Sequence, residues 1–418
     1  MASDGQKRAS YVTGLYYFHQ EITGEPISIY GPLVAYYLIG NTTGAANTPV
    51  PGNLLDGYGT DGHTDFNSDS YAAFGEVNWR PIDALTISSG LRYTCEQKTG
   101  TYATTVFGGL QTASTALNNA KLSILRPQSY AAAVNQGALT GRFNIAYQVT
   151  PGVLGYVSFA NGAKSGGINE SGLPLDANKN PVLSTAVVKP ENNVAYEVGL
   201  KTDLFDRRLI FKLDGFYTDV RDFQANVTDT RATVALRTYL ANVPKVTVKG
   251  LEADAIALVT PNFQLRAALA YDIGKYDSYP NGPCPIERIG SATTVCNLSG
   301  QNLSGLPKWS WTFGGDYSHA LDLLGRHGEA YLHADSSPRS ASYGDPTDSV
   351  YTVIKGYTVV NATLGFRASR HWEVALFARN LLDTSYIQNL TIQAGNSGLI
   401  VGTPSDPRTF GITLRARQ

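Results

Sequence analysis

Two runs near the end of the chain alternate between apolar and polar residues. They are WEVALFARNLLD at Trp372–Asp383 and PRTFGITLRARQ at Pro407–Gln418. One set of alternate positions is apolar: Trp372, Val374, Leu376 and Ala378 in the first run, and Phe410, Ile412, Leu414 and Ala416 in the second. Successive side chains of a strand point to opposite faces, so each run predicts a strand with one apolar and one polar face. A strand between lipid and a water-filled lumen has this pattern too.

Similar amphipathic runs recur along the whole chain, with turn-rich segments between them. The other twelve are Tyr11–Ile22, Tyr71–Arg80, Ala84–Gln97, Leu139–Val149, Val153–Lys164, Glu191–Leu204, Arg208–Asp222, Leu236–Val259, Phe263–Lys275, Lys308–Ala320, Gly328–Arg339 and Gly356–Ala368. Most exceed the five or six residues typical of strands in soluble sheets. A tilted strand needs about 9–11 residues to cross a membrane.

The connections between these runs alternate in length. Short links such as RPIDA, TPG, FDR, TPN and SR alternate with long ones, which are Thr23–Ser70, Lys98–Ala138, Ser165–Pro190, Phe223–Ala235, Tyr276–Pro307, Ser340–Lys355 and Thr384–Asp406. Splitting Leu236–Val259 at Pro244 would break this order, so we interpret it as one strand with Pro244 at an edge or bulge above the membrane. This alternation places the short connections at one end of the sheet and the long ones at the other. It predicts an antiparallel transmembrane β-barrel with short periplasmic turns and long external loops. A large soluble β-sandwich would explain the alternation but neither the loop sorting nor the strand length.

Composition agrees with a membrane barrel. Only 16% of the 418 residues are charged, below the roughly 25% of soluble proteins. The 25 tyrosines and 42 glycines suit a barrel with aromatic girdles. No stretch approaches 18 apolar residues, and the net charge of −1 gives no reason to expect nucleic acid as a partner. The start, MASDGQKRAS, is no secretory signal peptide, so we expect the N-terminus to be incomplete.

The chain has three cysteines, and a disulfide between two of them would fit an oxidising compartment. Cys284 and Cys296 flank a short polar stretch that could close as a disulfide, the alternative being two free thiols. Cys95 is expected to pack as a small apolar residue. A metal site is not expected, because no histidine or second cysteine pair lies close by in the sequence.

Candidate chemistry along the chain is sparse. The stretch Gly162–Gly167 looks superficially like a phosphate loop, but the first glycine of that motif is absent and no helix is predicted to follow. Glu252 and Asp254 could be an acid–base pair, although lumen-facing wall charges explain them better. Four basic residues of the polar face could attract an anionic ligand, or could simply balance Glu197, Asp214 and Glu252. They are Arg266, Arg379, Arg415 and Arg417. We predict no catalytic residue, no cofactor and no enzymatic activity.

Several segments resemble TonB-dependent outer-membrane receptors. GYVSFANGAKSGGIN (Gly155–Asn169) is similar to that family's strand ending in Y-x-S-x-x-x-G-x-K-x-G-G-x-N, and Ala195–Gln224 resembles its YE-x-G-x-K to FY-x-D-x-x-D-x-Q hairpin. Asn242 with Gly250–Glu252 resembles the N…G-x-E strand that follows. ALFARNLLDTSY (Ala375–Tyr386) resembles V-x-N-L-x-D-x-x-Y, and RTFGITLRARQ resembles the terminal strand. The segments occur in the family's order and span most of the chain.

The resemblance implies an all-β chain, residues 1–418, that forms about 14 strands of a 22-stranded barrel in a Gram-negative outer membrane. It implies that the plug domain, the TonB-binding motif and about eight strands are absent here, and Gln418 departs from the family's usual aromatic last residue. The intact receptor would import a scarce bulky solute such as a ferric siderophore, cobalamin or a glycan. The alternatives are a plugless 14-stranded diffusion channel and a soluble β-rich binding protein.

Overall fold

The protein is an antiparallel β-sheet protein in a computed structural model that describes residues 8–416, except 177, 229–237, 289–294, 324, 369–371 and 394–397. Over these described residues the main sheet has fifteen strands, and all but one lie on a single path that follows chain order. The strands of that path are β1 Ala9–Gly24, β2 Gly59–Ile82, β3 Leu85–Phe107, β4 Gln128–Thr150, β5 Val153–Lys164, β6 Glu191–Leu204, β7 Leu209–Thr228, β8 Thr238–Thr260, β9 Phe263–Ser278, β10 Trp309–Leu323, β11 Arg326–Arg339, β12 Tyr357–Ala368, β13 Trp372–Arg379 and β14 Thr409–Ala416. Each predicted run overlaps one of these strands.

The short connections lie at one end of the sheet and the long ones at the other. Asp83–Ala84 and Pro151–Gly152 are tight turns, whereas the long connections contain structure of their own, apart from that of residues 229–237, which lies outside the described residues. That structure comprises helices α1 Val34–Leu38 and α2 Thr115–Ile124, the 3-10 helices Leu183–Thr185, Ile286–Arg288 and Val350–Thr352, and short strands. The short strands are Ile27–Ile29, which pairs with β2, and the pairs Thr42–Thr43 with Thr48–Pro49, Gly167–Ile168 with Val187–Val188, Gly282–Pro283 with Val295–Cys296, Ser342–Tyr343 with Val353–Ile354, and Ile387–Ile392 with Ile400–Pro404. The described loops at this end are therefore folded, not open coil.

Several strands extend beyond the predicted runs. β2 begins at Gly59, twelve positions before Tyr71, and β7 continues from Phe223 to Thr228 within a predicted connection. The predicted loops over Thr23–Ser70, Lys98–Ala138 and Phe223–Ala235 were therefore too long, and residues 229–235 of the last lie outside the described residues. The extension of β2 over Gly59–Ser70 is rich in Thr, Ser, Asn and Asp, so it lacks the alternation of apolar and polar residues that marks the predicted runs. By contrast, the predicted run Trp372–Asp383 was longer than the strand it predicted, because β13 ends at Arg379.

Pro244 lies within β8, which is one strand as predicted. The ladder between β7 and β8 pairs Arg221 with Lys245 and Phe223 with Val243, so Asp222 and Pro244 are skipped. The register with β9 shifts at the next step, between Lys245 and Val246. Proline has no backbone N–H to donate, so it is tolerated at this irregularity without the loss of a ladder hydrogen bond.

The two faces of the sheet differ throughout. On the face that we call the apolar face, large side chains are exposed on almost every strand, for example Leu15, Leu91, Val198, Leu251, Leu364 and Ile412. The other face, which we call the polar face, carries residues such as Glu76, Arg142, Asp254 and Glu373. Soluble proteins rarely expose continuous apolar patches larger than a few hundred square ångströms. The apolar face therefore needs a nonaqueous environment or a partner to cover it.

Aromatic residues border the apolar face above and below. Towards the long loops lie the ring pairs Tyr17–Tyr71, Phe159–Tyr196 and Tyr271–Trp309, with centroids 5.0, 5.3 and 4.3 Å apart. Towards the short turns lie Trp79, Tyr147, Tyr317 and Trp372. Tyr71 and Trp79 are eight positions apart on β2, and so are Trp309 and Tyr317 on β10. Eight residues rise about 27 Å along a strand, which a tilt of about 40° reduces to roughly 20 Å, close to the apolar band of an outer-membrane barrel.

Candidate functional site

The polar face and the long loops beside it contain the groups able to meet a ligand. Among the described residues, no group of three or more His, Cys, Asp or Glu is arranged to hold a metal ion. No helix in the described part of the chain is long and apolar enough to cross a membrane. The site is therefore described from its charges, its hydrogen bonds and its loop packing.

The predicted basic residues of the polar face have individual surroundings. Arg266 forms an ion pair with Asp316 at 2.9 Å, and Asp316 also lies 2.7 Å from His333. The guanidinium of Arg379 lies over the Phe377 ring, 5.5 Å from its centroid. Arg417 lies outside the described residues. Arg266 is thus balanced by a carboxylate that the sequence analysis did not name.

Arg415 is likewise balanced by an unexpected carboxylate. Its guanidinium lies 3.5 Å from Glu373, which is only 7% exposed and also lies 3.8 Å from Arg367. The Tyr331 hydroxyl donates a hydrogen bond of 2.6 Å to the same carboxylate. A carboxylate held among two cations and a phenol stays charged and fixed in position.

The acidic residues named from the sequence lie together on neighbouring strands. Asp214 and Glu252 are directly opposite each other in the β7–β8 ladder, and Asp254 is opposite Lys212. Glu197 accepts a hydrogen bond from the Tyr156 hydroxyl. Glu252 and Asp254 are therefore part of a charged wall that also includes Asp214 and Lys212.

The stretch Gly162–Gly167 joins strand β5 to a long loop. The Lys98 ammonium donates a hydrogen bond of 2.9 Å to the Gly166 carbonyl and lies 3.3 Å from Glu96. Gln136 accepts a hydrogen bond from the Gly166 N–H at 3.1 Å. This segment therefore joins the end of a strand to a loop, and side chains of the neighbouring strands β3 and β4 bind its backbone. No helix follows it directly.

Side-chain amides fasten the loop of residues 165–190 to the sheet. Gln128 makes hydrogen bonds to both the N–H and the C=O of Leu173, at 2.9 and 3.1 Å. Asn169 bonds both backbone groups of Leu240 in the same way, at 2.9 and 2.8 Å. Asn242 does so with Lys189, at 2.8 and 3.0 Å. Each amide thus makes the two backbone hydrogen bonds that a residue of a neighbouring β-strand would make. These bonds hold the loop in place without an additional strand.

The loops that follow β1 and β3 share a small hydrophobic core, which we call the loop core. It consists of the buried residues Ala35, Val50, Leu54, Leu55, Tyr58, Leu117, Ala120 and Ile124. Helix α2 supplies three of them, and its first turn is capped by the Ser114 hydroxyl, which accepts a hydrogen bond from the Leu117 N–H. The Tyr58 hydroxyl donates a 2.8 Å hydrogen bond to the Leu125 carbonyl, and burial raises the pKa of Tyr58 to about 12. The two loops therefore fold as one unit.

A disulfide joins Cys284 to Cys296 in the loop after β9, with their Cα atoms 4.9 Å apart. The short strands at Gly282–Pro283 and Val295–Cys296 pair beside it. Tyr279 and Leu298 of the same loop pack on Val243 and Val246 of β8. Cys95 is a free, exposed cysteine on β3, so the expectation that it would pack as a small apolar residue was wrong.

Glu287 links this loop to the loop after β11. Its carboxylate accepts hydrogen bonds of 2.9 Å from the Ser349 hydroxyl and from the Val350 N–H. Desolvation raises the pKa of Glu287, but hydrogen bonds to its own backbone, to Val350 and to Ser349 outweigh it and hold the pKa below its ordinary value of 4.5. A carboxylate with a lowered pKa stabilises the folded form above its unfolded pKa, and that contribution is lost as the pH falls through the folded pKa.

We therefore expect the link between these two loops to weaken in acid. Hydrogen exchange of the Val350 amide, corrected for its intrinsic rate, should show protection that is constant above about pH 5 and falls at lower pH. The Glu287→Gln variant should show weaker protection with no such pH dependence, because its amide does not titrate in this range. Equal pH dependence in both proteins would show that another group controls the link.

Comparisons with known proteins agree with this architecture. Residues 4–381 match the family model described as TonB dependent receptor-like, beta-barrel. The catecholate siderophore receptor Fiu of Escherichia coli K12 is 24% identical over 267 residues, which are 64% of this chain and 31% of the relative. The ferric-pyoverdine M114 receptor PbuA of Pseudomonas sp. strain M114 is 28% identical over 244 residues, 56% of this chain and 25% of the relative. The chain thus spans a third or less of the length of these curated relatives.

A solved structure shows the same fold. The ferric yersiniabactin uptake receptor FyuA from Yersinia pestis superimposes with a TM-score of 0.71 at 17% identity, over 99% of this chain and 52% of that protein. The family is one of transport receptors rather than enzymes, and its members lie in the outer membrane of Gram-negative bacteria. From the family match over most of its length and from its antiparallel sheet, this chain belongs to the TonB-dependent receptor-like β-barrel family.

Proposed function

We propose that this chain forms part of the wall of an outer-membrane receptor that takes up a metal-loaded siderophore. One observation carries the proposal: an apolar face bordered by two aromatic belts, in a sheet whose long loops all lie at one end. Lipid would cover the apolar face, since its height between the belts fits an outer-membrane bilayer. The folded loops would then stand at the cell surface, where a solute arrives.

The solute class is inferred from the relatives. The catecholate siderophore receptor Fiu and the ferric-pyoverdine receptor PbuA suggest a ferric siderophore for this chain as well. The contacts would come from the long-loop end and the polar face, because these surfaces carry the charged, amide and aromatic groups described above. The metal would be cargo held by the siderophore, with no ligand supplied by the chain.

Energy for import would come from the TonB complex, acting on parts of the receptor other than this sheet. In this proposal, residues 1–418 form barrel wall throughout, and a plug domain in another part of the receptor transmits the force. Closure of the wall would require further strands between β1 and β14, the two ends of the hydrogen-bonded order. A membrane does not tolerate open sheet edges, so these edges would have to be paired.

Uptake in cells tests the proposal directly. The gene would be expressed in a Gram-negative strain that lacks its own siderophore receptors, in TonB-positive and TonB-negative backgrounds, with radioactive iron supplied as a ferric catecholate or ferric pyoverdine. We expect accumulation that requires both the gene and TonB. Accumulation that requires the gene but not TonB, together with a steady conductance in planar bilayers, would instead establish a passive channel. No gene-dependent accumulation of either chelate would contradict the siderophore assignment.

A further inference from the structure

Basic side chains project from the outer side of the sheet on three neighbouring strands, β7 to β9. We call them the basic patch, and its members are Arg221, Lys245, Lys249 and Lys275. They occupy the same alternate positions of these strands as the apolar residues Tyr217, Leu251 and Tyr271. Alternate residues of a strand share a face, so the patch continues the apolar face towards the long loops and lies opposite the polar face.

The patch stands at the height where lipid headgroups meet water. Lys249 is directly opposite Tyr217, and Tyr271 forms part of the aromatic belt. Arg221 and Lys275 are each four positions beyond one of these tyrosines. Four residues rise about 13 Å along a strand, which a tilt of about 40° reduces to roughly 10 Å. Tyrosine and tryptophan mark the level of the headgroups, so these cations are within reach of lipid phosphates.

Two carboxylates neutralise part of the patch. Asp219 lies 2.8 Å from the Lys245 ammonium and 3.6 Å from the Arg221 guanidinium. Asp277 lies 3.6 Å from the same ammonium. The Arg221 side chain is nevertheless 75% exposed, so the terminal nitrogens of its guanidinium can bind a second anion.

The other two cations of the patch pair with no carboxylate in the described part of the chain. The Lys275 ammonium donates a hydrogen bond of 3.1 Å to the Gly300 carbonyl, which is neutral, and Lys249 is exposed. Above the belt on β2, by contrast, the outward positions carry Asp65 and Asp69. The excess of positive charge therefore belongs to β7–β9 in particular and not to every strand at this height.

Below the patch, the same face has room for a hydrocarbon chain. The outward positions that follow Leu251 on β8 are Ala253, Ala255 and Ala257, whose side chains are small. A cavity of about 370 Å³ lies at this level, and two of these alanines line it together with Phe313 of β10. A lipid whose phosphate contacts the patch can therefore place an acyl chain along β8.

We propose that the basic patch binds the phosphate group of a membrane lipid. The Arg221 guanidinium can donate two parallel hydrogen bonds to phosphate oxygens, and the Lys249 ammonium adds a point charge. A soluble phosphate would gain only these contacts, which salt screens, whereas a lipid is also held by its chain on the apolar face. The inference rests on the proposed function in one respect, that lipid covers the apolar face, and it depends neither on siderophore uptake nor on TonB.

Phosphatidic acid and diacylglycerol with the same acyl chains are matched probes, because they differ only in the phosphate. Each would be added to the folded full chain in nonionic detergent micelles, and the bound lipid would be measured by native mass spectrometry. We expect phosphatidic acid to bind about tenfold or more tightly than diacylglycerol. Glycerol phosphate, which has the same headgroup without the chains, should not displace it at equal concentration.

Variants of the patch complete the experiment. The double variant Arg221→Gln/Lys249→Gln should lose about tenfold or more in phosphatidic acid affinity and keep its diacylglycerol affinity, since only charge is removed at exposed positions. The two single variants serve if the double variant does not fold. Arg207→Gln removes a charge from a short turn at the other end of the sheet, where Arg207 pairs with Asp203 at 2.8 Å, and should bind as the wild type does.

Four results would overturn the proposal. They are absence of phosphatidic acid binding, equal binding of the two lipids, displacement by glycerol phosphate at equal concentration, and wild-type phosphatidic acid affinity in the folded variants. Each would leave the uptake proposal standing, because iron accumulation in cells is measured separately. Loss of uptake would likewise leave the lipid measurement unchanged.

Discussion

Replacing Leu364 by arginine is expected to destabilise the protein in lipid bilayers by about 2–4 kcal/mol, the cost of a cation at mid-depth on a lipid-facing strand. Leu364 is 56% exposed on the apolar face of β12. It lies opposite Leu332 of β11 and Leu376 of β13, so its neighbours are apolar on both sides. The free energy of unfolding would be measured by guanidinium titration of protein reconstituted in phospholipid vesicles.

Thr363 provides the matched control, because it is the preceding residue of the same strand and points to the polar face. Thr363→Arg introduces the same side chain at the same depth, where water and neighbouring charges can solvate it. We expect a change of less than about 1 kcal/mol in this variant, as for other lumen-facing substitutions. If both variants lose the same stability, or if Leu364→Arg is neutral, the apolar face is not covered by lipid.

Truncating Leu55 to alanine is expected to destabilise the loop core by about 2–5 kcal/mol, the range for removing a fully buried leucine side chain. Leu55 is 0% exposed and packs among residues from both loops. The measurement is hydrogen exchange of residues 25–58 and 108–127, whose local opening should become about 30-fold or more easier. Strands below the aromatic belts should exchange as before, because they do not contribute to this core.

Leu33→Ala is the control for this change. Leu33 belongs to the same loop but is 66% exposed, so the same truncation removes little buried surface there. We expect its exchange to match that of the wild type within about twofold, as for most exposed substitutions. Faster exchange in the β1–β2 loop alone after Leu55→Ala would contradict the conclusion that the two loops open together.

The sequence was sufficient to find the strands wherever one face is apolar. Leu251 and Ala253 alternate with Glu252 and Asp254, and this period-two pattern assigned both the strand and its faces. It failed over Gly59–Ser70, because Phe66 is the one large apolar residue in that segment and a single residue sets no period. The sequence analysis also missed helix α2, TALNNAKLSI. The helix is short, and the residues that pack on its buried face come from a loop that is distant in the sequence.

The candidate site was less accessible from the sequence. Arg266 and Arg415 were identified as polar-face cations, but their partners Asp316 and Glu373 depend on the register between neighbouring strands. The resemblance did mark Asn242, and only the folded chain shows why an amide is needed there: both of its groups bond the backbone of Lys189.

The loop core has a consequence for how receptors of this kind change over time. Leu54 and Leu55 come from one surface loop, and Leu117 and Ile124 come from another that is separated from it by two strands. An insertion or deletion in either loop exposes apolar side chains of its companion, so neither can diversify alone. Natural variants are expected to differ in both loops together, and a graft that transfers this surface to another receptor would have to carry the two loops as a pair.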